Sequence, residues 1–246
     1  MKSRNYIAYN LQNIPFYDRI LKVKVGLIMK NFVVAIDGPA GSGKSSISKM
    51  ICGRLPFTHI DTGAMYRAVT LEALRRNIDV EDENQYSFVD EIEVVYKDGK
   101  VFLNNTDVSG LIRTADVTNN ASAVARVKRV REKMVEFQRG CRNYGNILMD
   151  GRDIGTVVFP DADLKIFLTA TPEERALRRY KENKEAGMDV TYETILEEIK
   201  VRDFKDSTRK ISPLKQADDA FLIDSTFMSM DEVTNTIIEK INERLK

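Results

Sequence analysis

Phe32-Val-Val-Ala-Ile-Asp37 runs straight into Gly38-Pro-Ala-Gly-Ser-Gly-Lys-Ser45. A short apolar run followed by G-x-x-x-x-G-K-S reads as a buried strand entering a phosphate-binding loop. Glycines let the backbone curl so that its N–H groups point inward at an anion. Lys44 can reach the terminal phosphates of a nucleotide, and the Ser45 hydroxyl can hold Mg²⁺. The residues behind it, Ser45-Ser-Ile-Ser-Lys-Met-Ile51, suit a helix whose N-terminus faces the anion.

The same kind of strand recurs along the chain. Phe57–Ile60, Ile147–Met149, Leu164–Leu168 and Ala220–Ile223 are short apolar runs, each ending near an aspartate, threonine or glycine. Runs without polar alternation fit strands covered by helices on both faces, hence a parallel sheet. The expected fold is α/β, a doubly wound five-stranded parallel sheet carrying the phosphate loop. Helices fill the gaps. Thr171-Pro-Glu-Glu174 reads as a capping box with proline at the first helical position, and Ser229-Met-Asp-Glu232 opens the last helix in the same way. Thr114 to about Arg142 reads as one helical pattern, with Val124, Val127, Val130, Met134 and Phe137 at spacings of three or four.

One stretch breaks the alternation. Ile92–Tyr96, Asp98-Gly99 and Lys100–Leu103 predict a hairpin with an Asp-Gly turn, so residues about 83–113 form a small β-rich insert between the second and third parallel strands.

Composition narrows the function. The 246 residues suit one main domain, and 38 Lys+Arg against 37 Asp+Glu leave no basic surplus for a nucleic acid polymer or an anionic membrane. No apolar run approaches the ~20 residues that span a bilayer. Cys52 and Cys141 lie far apart without metal or redox spacing, which suits a reducing, cytoplasmic setting. The single histidine, His59, excludes a His-rich zinc site and reads as an ordinary strand residue. Residues 1–29 look unlike the rest; they read as a misassigned upstream start or a loosely attached extension, with a short docking helix as the alternative.

Ligands of open α/β sheets bind beyond the carboxyl ends of the strands. Asp37-Gly38, Asp61-Thr-Gly63 and Asp150-Gly-Arg-Asp153 all fall there, so three segments are expected to converge on one crevice. Thr62 and Arg67 suit a second anion or a polar substrate group. Arg175, Arg178 and Arg179 share a helix face, as do Arg202, Asp206 and Arg209. Either set is a solvated charged face or an arginine clamp, and phosphoryl transfer needs such a clamp for positioning and charge neutralisation. Asp107-Val-Ser-Gly110 matches a GTPase signature, but it lies in the insert and no N-K-x-D guanine motif accompanies it.

At this point the chain resembles the bacterial cytidylate kinases from about Phe32 to the C-terminus. The matching segments are Ile36–Ser46, Asp61–Ala68, Asp107–Thr114, Asp150–Leu168 and Arg202–Arg209. The resemblance implies that ATP phosphorylates CMP or dCMP, in a monomeric kinase domain of residues 30–246. The insert of about 83–113 would bind the monophosphate, and a helical lid of about 178–190 would close over the site.

It also implies roles. Gly38, Pro39, Ala40, Gly41, Ser42, Gly43, Lys44, Ser45 and Ser46 would hold the ATP phosphates. Arg67, Arg152 and Arg202 would grip the acceptor phosphate, with Arg178 and Arg179 descending with the lid; Lys44 and the arginines at 152, 178, 179 and 202 would carry catalysis. Ser122, Arg131 and Asp153 would read cytosine. Asp206, helped by Arg209, would hold the ribose, while Thr62, Tyr66, Asp150 and Gly151 would complete the CMP pocket. Mg²⁺ would sit at Ser45, with Asp37 or Asp150 orienting it through water. The residue chemistry suits that base: Asp153 accepts from the exocyclic amine of cytosine, while Arg131 and Ser122 donate to N3 and O2. Uracil would set a carbonyl against the carboxylate, a mismatch that buried polar sites reject by ~10⁴-fold.

Overall fold

The computed structural model describes residues 31–97 and 99–246; the expectations for residues 1–29, and the Asp98 half of the Asp-Gly turn, lie outside the described residues. Five parallel strands form the main sheet: β1 (Val33–Asp37), β2 (Thr58–Asp61), β6 (Ile147–Gly151), β7 (Leu164–Thr169) and β8 (Phe221–Asp224), in the order β2-β6-β1-β7-β8. The first strand is therefore central. All five of its residues are buried, and its side chains alternate between two cores. Val33 and Ala35 join one, Val34 and Ile36 the other. Burial on both faces is what makes the run continuously apolar, each large side chain contributing about 1.5–3 kcal/mol.

Helices α1 (Lys44–Arg54) and α7 (Met230–Arg244) cover one face of the sheet, through Ile47, Ile51, Val233, Ile237 and Ile241. The other face receives α2 (Thr62–Arg75), α3 (Ala115–Val124) and α4 (Lys128–Gly140), through Met65, Val69, Val117, Val130 and Met134. The remaining helices, α5 (Pro172–Glu185) and α6 (Tyr192–Thr208), make a hairpin around a small core of Ala176, Ile195 and Ile199. Gly187, at φ 73°, follows the end of α5. Among the described residues no helix is long and apolar enough to cross a membrane.

The predicted insert forms an antiparallel sheet of β3 (Val94–Lys97), β4 (Lys100–Leu103) and β5 (Thr106–Asp107). Lys97 pairs with Lys100, as a two-residue turn requires, and Gly99 has φ 75°. The two-residue β5 was too short to show in the sequence pattern.

Two helix readings need correction. Thr114–Arg142 is not one helix: α3 ends at Val124, and Val127 is extended (φ −63°, ψ 123°) before α4 begins. No glycine or proline marks the break. Its consequence is chemical, because the freed Ala125 carbonyl accepts from Arg131 Nη1 at 3.0 Å. The capping boxes also differ. Ser229 and Glu232 exchange both bonds, whereas Thr171 caps Glu174 N–H but the Glu174 carboxylate turns away to Arg178.

Candidate active site

The site is assembled where β1, β2 and β6 end. Asp150 stands in register with Ile36 on one side and Asp61 on the other, so the three expected segments do meet. Gly38 (φ 154°) has no room for a side chain: a Cβ there would lie 1.9 Å from the Leu168 carbonyl oxygen. Gly41 and Gly43 follow at φ 76° and 87°, wrapping the loop around the start of α1. Among the described residues nothing accepts a hydrogen bond from the N–H of Gly41, Ser42, Gly43, Lys44 or Ser45. A ring of unsatisfied donors at a helix N-terminus is suited to an anion. Lys44 is buried and folded back, its Nζ donating to Pro39 O at 2.7 Å and to Ser42 Oγ at 3.3 Å. Burial, then the positive charge of Arg152, holds its ammonium well below the usual lysine range.

The two aspartates beside the loop differ. Asp37 spends both oxygens on backbone, accepting from Ile154 N and Gly155 N at 2.7 Å each. Burial outweighs those bonds and pushes its carboxyl up to about 6. Asp150 instead accepts from Ser45 Oγ at 2.7 Å and lies 2.5 Å from His59 Nε2. Burial alone would raise it, but His59, Ser45 and Lys44 together hold it below the usual carboxylate range. Of the two, Asp150 is the one set against the Ser45 hydroxyl.

Across the crevice lies a cluster of guanidinium groups. Arg202 is pushed down to about 10, by burial first and then by Arg152, with Arg179 and Arg67 adding to it. Arg152 and Arg202 also lie close enough to depress Lys44. Arg152 Nε donates to Asp206 Oδ2 at 2.9 Å, and Arg67 Nη2 lies 3.4 Å from Asp61 Oδ2. Burial works upward on Asp206, but Arg152 and Arg202 outweigh it and hold its carboxyl low. Deeper in, Asp153 is bound by Arg131 Nη2 and faced by Arg209 Nη2 at 3.6 Å. The Arg131 guanidinium lies 5.5 Å from the Tyr66 ring centre. Burial pushes the Tyr66 hydroxyl up to about 12.

Six of the eight buried side-chain polar atoms without a partner among the described residues belong here: Tyr66 OH, Arg67 Nε, Arg131 Nε, Gln138 Nε2, Arg202 Nε and Arg209 Nη2. Folded proteins rarely leave such groups unpaired except where something binds.

Some expected residues do other work. The Thr62 hydroxyl is spent on Asp150 O at 2.7 Å, and a Cβ on Gly151 would collide with it at the same distance. Ser122 is half-buried on α3. The 175/178/179 face splits three ways. Arg178 donates to Ser225 O at 2.6 Å, beyond the end of β8 and away from the cluster. Arg179 faces Glu198 at 3.8 Å and stands near Arg202. Arg175 is buried; it donates to Ala40 O at 3.0 Å and to Asp203 Oδ2 at 2.6 Å, tying the phosphate loop to α5 and α6. Arg209 lies just past the end of α6 rather than on its face.

Sequence reasoning passed over His59 and Gln138. Gln138, buried on α4, faces the Tyr66 hydroxyl. Its spacing to Met134 and Arg131 on the same helix is the only signal that could have drawn it in.

The cytidylate kinase family model matches residues 34–243. The chain belongs to the cytidylate kinase family. Relatives agree over nearly their whole length. The cytidylate kinase of Acholeplasma laidlawii is 53% identical over 213 residues, 87% of this chain and 96% of the relative. That of Bacillus subtilis is 48% identical over 87% of this chain and 98% of the relative. That of Fusobacterium nucleatum is 49% identical over 87% and 99%. Membership in the cytidylate kinase family makes this chain an ATP-dependent kinase, and the phosphate loop and the guanidinium cluster described above lie inside the matched segment.

Proposed function

We propose that this chain transfers the γ-phosphoryl group of ATP to CMP or dCMP, giving ADP and CDP or dCDP. The observation that carries the reading is the crowding of Arg67, Arg152 and Arg179 around Arg202, with Arg152 and Arg202 beside Lys44. Like charges buried together are unfavourable, and carboxylates meet only part of the need. A phosphate dianion between them satisfies the remaining donors with charge-assisted bonds.

The phosphate loop holds the ATP phosphates through its free N–H groups. Lys44 leaves Pro39 O for the γ-phosphate when the donor arrives. Mg²⁺ would be held by Ser45, with Asp150 rather than Asp37 beside it, and when bound it neutralises charge on the β- and γ-oxygens. This fits the donor set: among the described residues no group of three His, Cys, Asp or Glu side chains could hold a metal alone, and Mg²⁺ commonly takes its remaining ligands from phosphates and water.

On the acceptor side, Arg67, Arg152 and Arg202 orient the CMP phosphate in line with the γ-phosphate. No general base is needed, because that phosphate is already an anionic nucleophile. Asp153, held by Arg131 and faced by Arg209, accepts from the exocyclic amine of cytosine. Arg131 and Ser122 meet its acceptors, with Tyr66 lining the pocket. Asp206 takes the ribose hydroxyls. The segment of about 178–190, at the tip of the α5–α6 hairpin, acts as the lid, bringing Arg178 and Arg179 down and excluding water, and the β3–β5 sheet belongs to the monophosphate-binding insert. The chain works as a cytoplasmic monomer.

A coupled assay with ATP and a panel of CMP, dCMP, UMP and dTMP tests this. CMP and dCMP should be the preferred acceptors; a tenfold preference for UMP over CMP overturns the base assignment. ATP turnover that ignores every monophosphate overturns the transfer itself.

A further inference from the structure

His59 is the single histidine of the chain, and the reaction above makes no use of it. Its side chain is 8% exposed, on a strand whose other polar side chains face the crevice or solvent. Nε2 lies 2.5 Å from Asp150 Oδ1. An ionised carboxylate only accepts, so Nε2 carries the proton and donates it. The other oxygen of the same carboxylate accepts from Ser45 Oγ at 2.7 Å. Asp150 is thereby gripped at both oxygens, by the phosphate loop on one side and by an imidazole on the other. The imidazole is itself braced: its ring meets Tyr96 of β3 edge-on, with centroids 6.3 Å apart at 68°.

We propose that His59 is a positioning residue for Asp150, fixing the carboxylate against Ser45 and so setting the enzyme's affinity for the divalent cation that accompanies the nucleotide, with Tyr96 linking that grip to the insert sheet. A carboxylate fastened at one oxygen can swing about its terminal torsion; a second donor removes that freedom. Partners one step removed from a metal typically change its affinity about 10–100-fold. The inference rests on the reading of Ser45 and Asp150 as the cation's holders.

The test is Mn²⁺ binding to the enzyme loaded with ADP, followed by the EPR signal of free Mn²⁺. His59→Phe keeps a ring against Tyr96 and deletes the donor. Its Mn²⁺ affinity should fall about 10-fold or more, while calorimetric CMP affinity stays at the wild-type value. His59→Gln sets an amide N–H where Nε2 stands and should restore most of the loss. Wild-type Mn²⁺ affinity in His59→Phe overturns the proposal, and so does a His59→Gln variant as weak as His59→Phe. A second measurement needs no variant. With one histidine, the ring ¹⁵N signals of the wild-type enzyme are assigned without ambiguity, and the Nε2 signal should move when Mg²⁺ is added to the ADP complex. An unmoved signal also overturns the proposal. Asp150→Asn separates the two levels: normal Mn²⁺ affinity there sinks the underlying reading of Asp150, whereas weak binding there with normal binding in His59→Phe sinks only the role of His59.

Discussion

The loop Gly38–Ser45 presents the backbone N–H groups of one contiguous segment, whereas the neighbouring cluster presents the side chains of Arg67, Arg152 and Arg202, carried by three segments far apart in sequence. The two regions also treat charge in opposite ways. Asp37, beside the loop and supported by backbone N–H groups, is pushed up to about 6 by burial. Asp206, equally part of the site, is held low because Arg152 and Arg202 outweigh the same burial. A backbone cradle is neutral until its ligand arrives and depends on steric detail. A side-chain cluster stores unbalanced positive charge and depends on its counter-ions. Damage to the first should be abrupt and conformational; damage to the second should be graded and visible in acceptor kinetics.

The sharpest way to break the first region is Gly38→Ala. The added Cβ meets backbone, not a flexible side chain, 1.9 Å from Leu168 O, so β1 and β7 must separate. We expect a loss above about 4 kcal/mol, read by urea unfolding or as failure to accumulate folded protein. A fully stable Gly38→Ala variant would mean the loop tolerates rearrangement. Lys44→Ala comes next and spares the fold. It should lower kcat about 10²–10³-fold with only a modest change in CMP affinity, since the ammonium acts on the transferring group. Arg202→Ala is its counterpart across the crevice: kcat/KM for CMP should fall about 100-fold with the KM for ATP little changed. Equal damage to both substrates would show that the two regions are not separable. Asp153→Asn probes discrimination. It keeps the shape but removes the charge that Arg131 binds and Arg209 faces. The preference for CMP over UMP should shrink about 10–100-fold, measured as the ratio of kcat/KM values.

The last test is a pH dependence. Asp37 has a folded-state pKa of about 6, against an ordinary value of 3.8. Below about pH 4 the folded and unfolded chains both hold the proton. Between 4 and 6 the unfolded chain releases it while the folded one retains it, so this group's contribution to stability falls as pH rises, by about 1.4 kcal/mol per unit, and levels off above 6. Carboxyl ¹³C NMR should show Asp37 titrating near pH 6 and Asp206 below the usual range. The reverse order would erase the contrast between the two regions.

Much of the scaffold can be read in the chain itself. Phe32–Ile36 is apolar without interruption because both faces of β1 are covered, and similar short runs, uninterrupted at Ile147–Met149 and Ala220–Ile223 and broken by single or paired polar residues at Leu164–Leu168 and Phe57–Ile60, announce a parallel sheet. Asp98-Gly99 announces a hairpin because a two-residue turn needs positive φ. The break at Val127 left no mark, since neither glycine nor proline stands there, and the bond from Arg131 to the freed Ala125 carbonyl does not show in a helical repeat. The arginines were recognisable as a set but not by partner: Arg175 reaches back to Ala40, Arg178 to Ser225, and Arg152 forward to Asp206.

By itself, then, the sequence determined the strand-loop-helix at Phe32–Ile51, the parallel-sheet scaffold with its inserted hairpin, and the family to which the chain belongs. These follow from sterics and hydrogen bonds between residues a few positions apart, and those are written locally. Only the tertiary structure decided which carboxylate faces Ser45, which guanidinium groups crowd around Arg202, and that His59 grips Asp150. Such pairings arise when β2, β6 and β1 come side by side, and electrostatics acts through space rather than along the chain.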